Sequence, residues 1–160
     1  MPKWLWRSWG IVGDLRRDAV DLYHGLSGEL PLGIHRSGIR TVVTIHDLIF
    51  MRHPEYYNRA DVKIYTWKFH RTIAQADRII AISECTKRDI MHYGHVDPER
   101  IEVIYQSCST HFKLRESDAK LQDVHARYVL PSRYIINVGT VERRKNILLA
   151  VKALQHIDDV

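Results

Sequence analysis

The sequence predicts an α/β fold built on a parallel β-sheet. Its central stretch, Ile39–Asp47, contains a β-branched run without helical periodicity, which is typical of a strand buried on both faces of such a sheet. Four other short apolar runs end in small or polar residues, and several are followed by a helical pattern. Strands that alternate with helices favour a parallel sheet with helical crossovers. The four additional predicted strands are Val20–Tyr23, Arg78–Ile82, Ile101–Tyr105 and Tyr134–Val138.

Helical periodicity around these strands predicts the elements that cover the sheet. Over Asp61–Ala76 apolar residues recur at intervals of three and four, and Ser83 is placed to cap the helix that follows it. In the first segment we expect Trp6 and Trp9 to pack against the sheet, and we expect a loop over Leu48–Asn58. The predicted helices are Met1–Asp18, Asp61–Ala76, Glu84–Tyr93, Ser117–Tyr128 and Lys145–His156.

Composition and charge restrict the class of protein. A hydrophobic fraction of 45% with 27% charged residues is ordinary for a soluble globular domain and argues against disorder. No run reaches the ~18 apolar residues that span a bilayer, and the start has no signal-peptide-like apolar segment, so we expect a cytosolic protein. The net charge of +5 suits nucleic acid, anionic lipid or a phosphorylated substrate. Because the basic residues lie in small groups, nucleic acid is not predicted as a partner.

The cysteines and histidines do not predict a metal site. Cys85 and Cys108 form no Cys-x-x-Cys pair, so we expect both to be reduced packing residues. The ten histidines are scattered along the chain without the spacing of metal ligands. We therefore predict no metal ligands.

Candidate functional residues follow the predicted strands, because ligands of open α/β sheets bind beyond the carboxyl ends of the strands. Ser83 and Glu84 have two explanations, a ligand contact or the capping and dipole stabilisation of a helix start. The candidates at strand exits are His24, Gly25, His46, Asp47, Ser83, Glu84, Gly139 and Thr140.

Two cations, Arg144 and Lys145, lie at the start of the last predicted helix. A cation in this position opposes the helix dipole. A bound anion therefore explains the pair better than a solvated helix start does.

Four motifs occur in order along the chain: Thr44–Asp47, Ala76–Glu84 with Thr86–Asp89, Asp97–Arg100 with Val103–Tyr105, and Val138–Asn146. Together they resemble the retaining GT-B glycosyltransferases of family 4. The resemblance covers roughly Val20 to Leu154 and implies two Rossmann-like domains that face each other across a cleft. By this resemblance, residues 1–108 are the second half of an N-terminal, acceptor-side domain and residues 109–132 are a connector. Residues 133–160 correspond to the first strand and helix of a C-terminal, nucleotide-sugar domain.

Some family features have no counterpart in the sequence. The glycine-rich first turn and the nucleotide pocket are missing, and Gln106-Ser107-Cys108 stands where relatives commonly have Asn-Gly-Val. We therefore expect an incomplete piece that is inactive alone and self-associates. Its first strand should form an unpaired edge, and Ile147, Val151 and Leu154 should be exposed.

The resemblance also implies a reaction: transfer of a hexose from a nucleoside diphosphate sugar to an acceptor hydroxyl, with retention, in surface polysaccharide or glycolipid synthesis. It implies no cofactor and no obligatory metal. The motif style resembles mannosyltransferases, so GDP-mannose is the first expectation for the donor, and a glycan or lipid-linked molecule for the acceptor. We expect a cytoplasmic protein, with peripheral contact at the inner face of the membrane left open.

Residue roles are carried over by the same resemblance. His46 would face the transferred sugar, where a neutral imidazole can donate or accept a hydrogen bond. The donor diphosphate would be held by Gly139, Thr140, Arg144 and Lys145, which replace a metal as the stabilising charge. The acceptor or sugar side would be formed by His24, Gly25, Asp47, Ser83 and Glu84.

An alternative hypothesis is a non-catalytic Rossmann-like module that holds a phosphorylated ligand or a protein partner in a basic cleft. In that case the chain is itself the functional unit. A transferase of this type, by contrast, requires the nucleotide-sugar half.

Overall fold

The computed structural model describes residue 2 and residues 5–155. The chain divides into two compact units, residues 1–106 and residues 107–160. Within the described residues, every strand lies in the first unit, and the second unit holds helices and turns. No helix in the described part of the chain is long and apolar enough to cross a membrane.

Four parallel strands form one sheet in the first unit, in the order β1-β2-β3-β4. In β2 only Arg40 is exposed, as expected for an interior strand. Among the described residues β1 pairs with β2 alone, so its outer side is the open edge that the sequence predicts. These observations confirm the α/β class and the Rossmann-like parallel sheet. The strands are β1 (Leu22–Gly25), β2 (Arg40–Ile45), β3 (Arg78–Ala81) and β4 (Ile101–Val103).

The helices follow the predicted periodicity in most places, and local caps set where they begin. The Asn58 side chain accepts the Ala60 N–H at the start of the longest helix, and Ser83 caps the next one as predicted. The predicted end of the last helix at His156 lies outside the described residues. The helices are a π-helical turn (Trp6–Gly10) leading into α1 (Ile11–Arg17), then α2 (Ile49–Arg52), α3 (Arg59–Gln75), α4 (Glu84–Gly94), α5 (Asp118–Tyr128) and α6 (Ile147–Leu154).

Two predicted elements are wrong. The expected loop over Leu48–Asn58 contains α2 and a 3₁₀ turn, because the Asp47 carboxylate accepts the Ile49 N–H at 3.2 Å and starts a helix. The predicted strand Tyr134–Val138 has no regular structure. A strand needs a hydrogen-bonded neighbour, and the described part of the second unit offers none. Val138 is 89% exposed, so its apolar pattern buries little.

Tryptophan and cysteine burial also differs from the predictions. Trp9 is 59% exposed and Trp6 is exposed as well, so neither is a core residue. The indole N–H of Trp6 donates to an Asp14 carboxylate oxygen at 2.8 Å, which holds the ring at the surface. Cys85 and Cys108 are free but exposed, so the prediction of packing residues is wrong.

The core of the first unit lies between the sheet and its helices. Thr41 of β2 is a polar residue that is buried in this core, and its N–H donates to the Asp77 carboxylate at 2.6 Å. This bond ties β2 to the residue that precedes β3. The most deeply buried apolar side chains are Ile34, Val43, Leu48, Ile79 and Ile90.

In helix α6 of the second unit, the prediction that three apolar side chains are exposed is only partly confirmed. Val151 is 51% exposed, as predicted. Ile147 and Leu154 are half-buried, so the prediction is wrong for these two residues. They lie four and three residues from Val151 and share one helix face with it.

Candidate active site

A cleft of about 260 Å³ lies beyond the carboxyl ends of β1 and β2. It is formed by residues 27–29 after β1, by residues 45–48 at the end of β2, and by Tyr65 and Lys68 of α3. This is the edge at which open parallel sheets bind ligands. His46 and Asp47 line it, as the sequence predicts from their position at the strand end.

The ring of His46 has hydrogen-bond partners on both nitrogens. Nε2 donates to the Leu26 carbonyl at 2.9 Å, and the Gln106 amide nitrogen lies 3.4 Å from Nδ1. A backbone carbonyl can only accept, so the neutral ring carries its proton on Nε2 and has an acceptor at Nδ1. The contact with Leu26 is short and to the backbone, whereas the contact with Gln106 is long and to a flexible side chain.

The backbone of His46 is fixed as well. The hydroxyl of Thr86, a buried residue near the start of α4, donates to the His46 carbonyl at 3.0 Å. Ser83 caps the same helix, because its Oγ accepts the Thr86 N–H at 3.1 Å. The position of His46 therefore depends on the start of α4 as well as on β2.

Asp47 and Glu29 place two carboxylates in the cleft. One oxygen of Asp47 accepts the Ile49 N–H, and the side chain remains exposed. Glu29 forms an ion pair with Lys68 of α3 at 2.8 Å. This pair connects the β1 exit to α3 along the cleft.

His24 and Gly25 do not follow β1, as the sequence suggested, but lie within it. His24 Nε2 is 2.8 Å from the Thr44 hydroxyl on β2, so its side chain bridges two strands. Gly25 is buried, and a Cβ at this position would collide with the Glu29 carbonyl. The strand starts two residues later than predicted because Val20 N–H bonds back to the Leu15 carbonyl at the end of α1.

At the third strand exit, Ser83 acts as the N-cap of α4, which was one of its two explanations. Glu84 is exposed in the first turn, where a carboxylate stabilises the helix dipole. Neither residue lines the cleft of His46.

The remaining predicted site residues lie in the second unit. Gly139 and Thr140 are in an irregular segment, and Arg144 and Lys145 belong to a 3₁₀ turn before α6. The Arg144 side chain pairs with Glu142 at 3.0 Å, whereas Lys145 is exposed. Asn146, in a left-handed conformation with φ of 49°, separates this turn from the helix.

Several residues that line the cleft or contact His46 were missed by sequence reasoning. Gln106 was noted only as a departure from the family pattern, yet its amide contacts His46. Thr86, Glu29 and Lys68 have no local signal, because their partners are remote in the sequence. In the part of the chain that is described, no group of three or more His, Cys, Asp or Glu residues could hold a metal ion.

The fold and the cleft define a parallel α/β protein with a cleft lined by polar side chains at the carboxyl edge of its sheet. The chain matches the profile of Glycosyltransferase Family 4 over residues 1–111. The chain therefore belongs to this family.

Curated relatives are mannosyltransferases by name. The chain is 29% identical over 141 residues to O-antigen chain mannosyltransferase B of Escherichia coli, covering 87% of this chain and 36% of the relative. It is 24% identical over 138 residues to serotype-specific mannosyltransferase WbdA of Escherichia coli, covering 84% of this chain and 17% of that protein. A second WbdA protein from the same species matches at 24% identity, with 16% of its length covered. The chain thus spans about a third or less of the length of these relatives.

Proposed function

We propose that the protein takes part in mannose transfer from a nucleoside diphosphate sugar to a glycan or lipid-linked acceptor hydroxyl, in polysaccharide synthesis and with retention of configuration. The position of His46, fixed at the carboxyl edge with Nδ1 engaged only by a long contact from the Gln106 side chain, carries this proposal. Family membership and the names of the relatives support the reaction class. GDP-mannose is the proposed donor, with no cofactor.

His46 acts on a sugar hydroxyl through Nδ1. The Leu26 carbonyl keeps the proton on Nε2, so the Nδ1 lone pair can accept a hydrogen bond. The weak contact from Gln106 is the one that a ligand displaces, because it is long and comes from a flexible side chain. Thr86 holds the His46 backbone while this exchange occurs. A hydroxyl bound in this way is oriented for transfer.

In this proposal the second unit supplies the donor side. Residues 133–160 belong to the nucleotide-sugar domain, with Gly139, Thr140, Arg144 and Lys145 at the diphosphate. Arg144 leaves Glu142 for the anion, and exposed Lys145 reaches it directly. Cations at this position stabilise the charge that develops on the departing diphosphate.

The 160-residue chain alone is expected to transfer no sugar, because transfer requires a complete donor domain to hold the two substrates together. The activity test therefore uses a chimera in which this chain replaces the aligned segment of O-antigen chain mannosyltransferase B. Transfer of radiolabelled mannose from GDP-mannose is measured for the chain and for the chimera. Turnover by the chain itself would refute the division of labour between the two units.

His46→Ala in the chimera should lower kcat/KM by about 10²-fold or more, on the scale of a group that exchanges protons or hydrogen bonds with the reacting hydroxyl. The matched control is His35→Ala, because His35 is also exposed and its ring also bonds a glutamine, Gln75, at 3.1 Å. His35 does not line the cleft. The melting temperature of each variant is measured in parallel. Equal rates for the two alanine variants, or loss of stability without loss of transfer in His46→Ala, would contradict the role of His46.

A further inference from the structure

A second cavity of about 540 Å³ lies in the first unit, between the N-terminal helical segment, the exit of β1 and α3. The proposed reaction does not use it. Its lining includes three aromatic and three cationic side chains: Trp6, Arg7, Tyr23, Trp67, Lys68 and Arg71. The cavity adjoins the cleft of His46, since Ser27, Glu29 and Lys68 line both.

Arg71 of α3 is the feature that requires an explanation. Its Nη2 donates to the Leu30 carbonyl at 3.2 Å. Its Nε and Nη1 are closed to solvent and, among the residues that the structure describes, have no hydrogen-bond acceptor. Leaving buried donors of a charged group without partners is costly, by about 1–3 kcal/mol or more. Native proteins usually satisfy such groups with protein, water or a ligand.

The charge of Arg71 persists despite its burial. Burial lowers the pKa of Arg71, and the nearby Glu29 carboxylate acts in the opposite direction. A guanidinium nevertheless stays protonated in proteins at physiological pH. Glu29 does not neutralise it by direct contact, because its carboxylate is paired with Lys68 at 2.8 Å. The charged side chains that line the cavity are three cations, Arg7, Lys68 and Arg71, and one carboxylate, Glu29.

Aromatic rings complete the site. The guanidinium carbon of Arg71 lies 5.0 Å from the centroid of the Trp67 ring, within the range of a cation–π contact. Trp67 is 57% exposed, so the indole that stacks on the guanidinium also presents ring surface to solvent. Trp6 and Tyr23 line the same space and offer apolar ring faces beside the cation.

We propose that this cavity binds an oxyanion attached to a sugar ring, with the phosphate or carboxylate on Arg71 and the sugar against the indole of Trp67. The planar guanidinium matches the oxygen spacing of both oxyanions, and it would gain the acceptors that it lacks. Because the cavity adjoins the His46 cleft, the anion belongs to the acceptor, a part of the assignment that rests on the proposed transferase function. Binding of the anion to Arg71 does not depend on that proposed function.

The test is a titration of the 160-residue chain at low ionic strength with mannose 6-phosphate, glucuronate, inorganic phosphate and methyl mannoside. Two signals are recorded: the ¹⁵N resonance of the Arg71 side-chain Nε–H and the tryptophan fluorescence. We expect at least one sugar oxyanion to shift the Arg71 resonance and change the fluorescence, and methyl mannoside to do neither. Comparing mannose 6-phosphate with glucuronate shows whether the site prefers a phosphate or a carboxylate. If no oxyanion shifts the Arg71 resonance, or if inorganic phosphate binds as tightly as both sugar oxyanions, the proposal is overturned.

Substitutions then test the assignment to Arg71. Arg71→Met should weaken binding roughly tenfold or more, and Arg71→Lys should restore only part of it, because lysine keeps the charge without the planar fork. Glu29→Gln should tighten binding, since it removes the one carboxylate that competes with the ligand. The matched control, Arg88→Met, removes an exposed cation of α4 that does not line the cavity and should change nothing. Unchanged affinity in Arg71→Met would refute the site, and if that variant does not fold, the resonance of Arg71 in the native chain decides.

His46→Ala separates this site from the proposed reaction. It should leave oxyanion binding unchanged, even where transfer is lost. If oxyanions bind but His46→Ala transfers mannose normally, the proposed role of His46 fails and the anion site stands. If transfer depends on His46 but no oxyanion reaches Arg71, the anion site fails and the reaction stands.

Discussion

Replacing Gly25 with alanine tests whether this residue serves the ligand, as its sequence position suggested, or the backbone, as the structure indicates. Gly25 is the last residue of β1 and is buried against the turn that follows it. An alanine Cβ would collide with the Glu29 carbonyl and lie 3.2 Å from a methyl group of Leu30. The collision is with backbone, so a change of side-chain rotamer cannot relieve it.

The expected loss of stability depends on which parts of the backbone must shift to make room for the alanine methyl group. Inserting a methyl group into a packed interior costs about 1–3 kcal/mol when side chains can adjust. Gly25 also pairs with Val43 in the sheet, so neither strand nor turn can shift without weakening β-sheet hydrogen bonds. We therefore expect the free energy of unfolding to fall by an amount near the upper end, about 3 kcal/mol, which for a unit of this size lowers the melting temperature by roughly 13 °C.

Urea denaturation followed by far-ultraviolet circular dichroism measures the change. Gly13→Ala is the matched control, because Gly13 lies in α1 and a Cβ there meets nothing within 4 Å. That variant should gain up to about 1 kcal/mol, since alanine is the better helix former. The two identical substitutions should thus have opposite signs. If Gly25→Ala is as stable as the native chain, the turn after β1 can shift without cost. Backbone packing would then not explain the glycine, and a ligand contact would again be the favoured explanation.

Three further predictions concern other parts of the chain. Asp77→Ala should cost about 2 kcal/mol in urea denaturation, because it leaves the buried N–H of Thr41 without its acceptor; an unchanged midpoint would mean that water replaces the carboxylate. The hydrogen bond from Trp6 lowers the pKa of Asp14, so Trp6→Phe should raise it towards its ordinary value in an NMR titration. Because the folded pKa is depressed, this contribution to stability is present above the ordinary carboxyl pKa and is lost as the pH falls, and the Phe variant should lose less on acidification. Lys145→Ala in the chimera should lower kcat/KM by about 10²-fold with little change in melting temperature, whereas an unaltered rate would assign Lys145 to the solvated surface.

Local sequence signals determined most of the first unit. The β-branched run of β2 and the periodicity of α3 depend on residues a few positions apart, and both elements occur where the sequence predicts them. The cap of α4 is equally local, since Ser83 and the Thr86 N–H are three residues apart. The placement of His46 at the ligand edge also follows, because the end of a parallel strand fixes that edge once the strand is recognised.

Tertiary structure decided the details of the site. Gln106 reaches His46 across 60 positions, and Lys68 reaches Glu29 across 39, so neither pairing has a local pattern. The unsatisfied nitrogens of Arg71 are invisible in the sequence for the same reason, since α3 periodicity says only that this residue lies on the helix face opposite its apolar stripe.

The errors have the same origin. The apolar run Tyr134–Val138 looks like a strand, but a strand exists only where another strand supplies hydrogen bonds, and none does so in the described second unit. Trp6 and Trp9 look like core residues, but the elements around them leave their rings exposed. Periodicity and caps are set by neighbours within one or two turns of the chain, and the sequence by itself determined those. Burial, strand pairing and the partners of charged side chains depend on segments brought together by folding, and only the tertiary structure decided them.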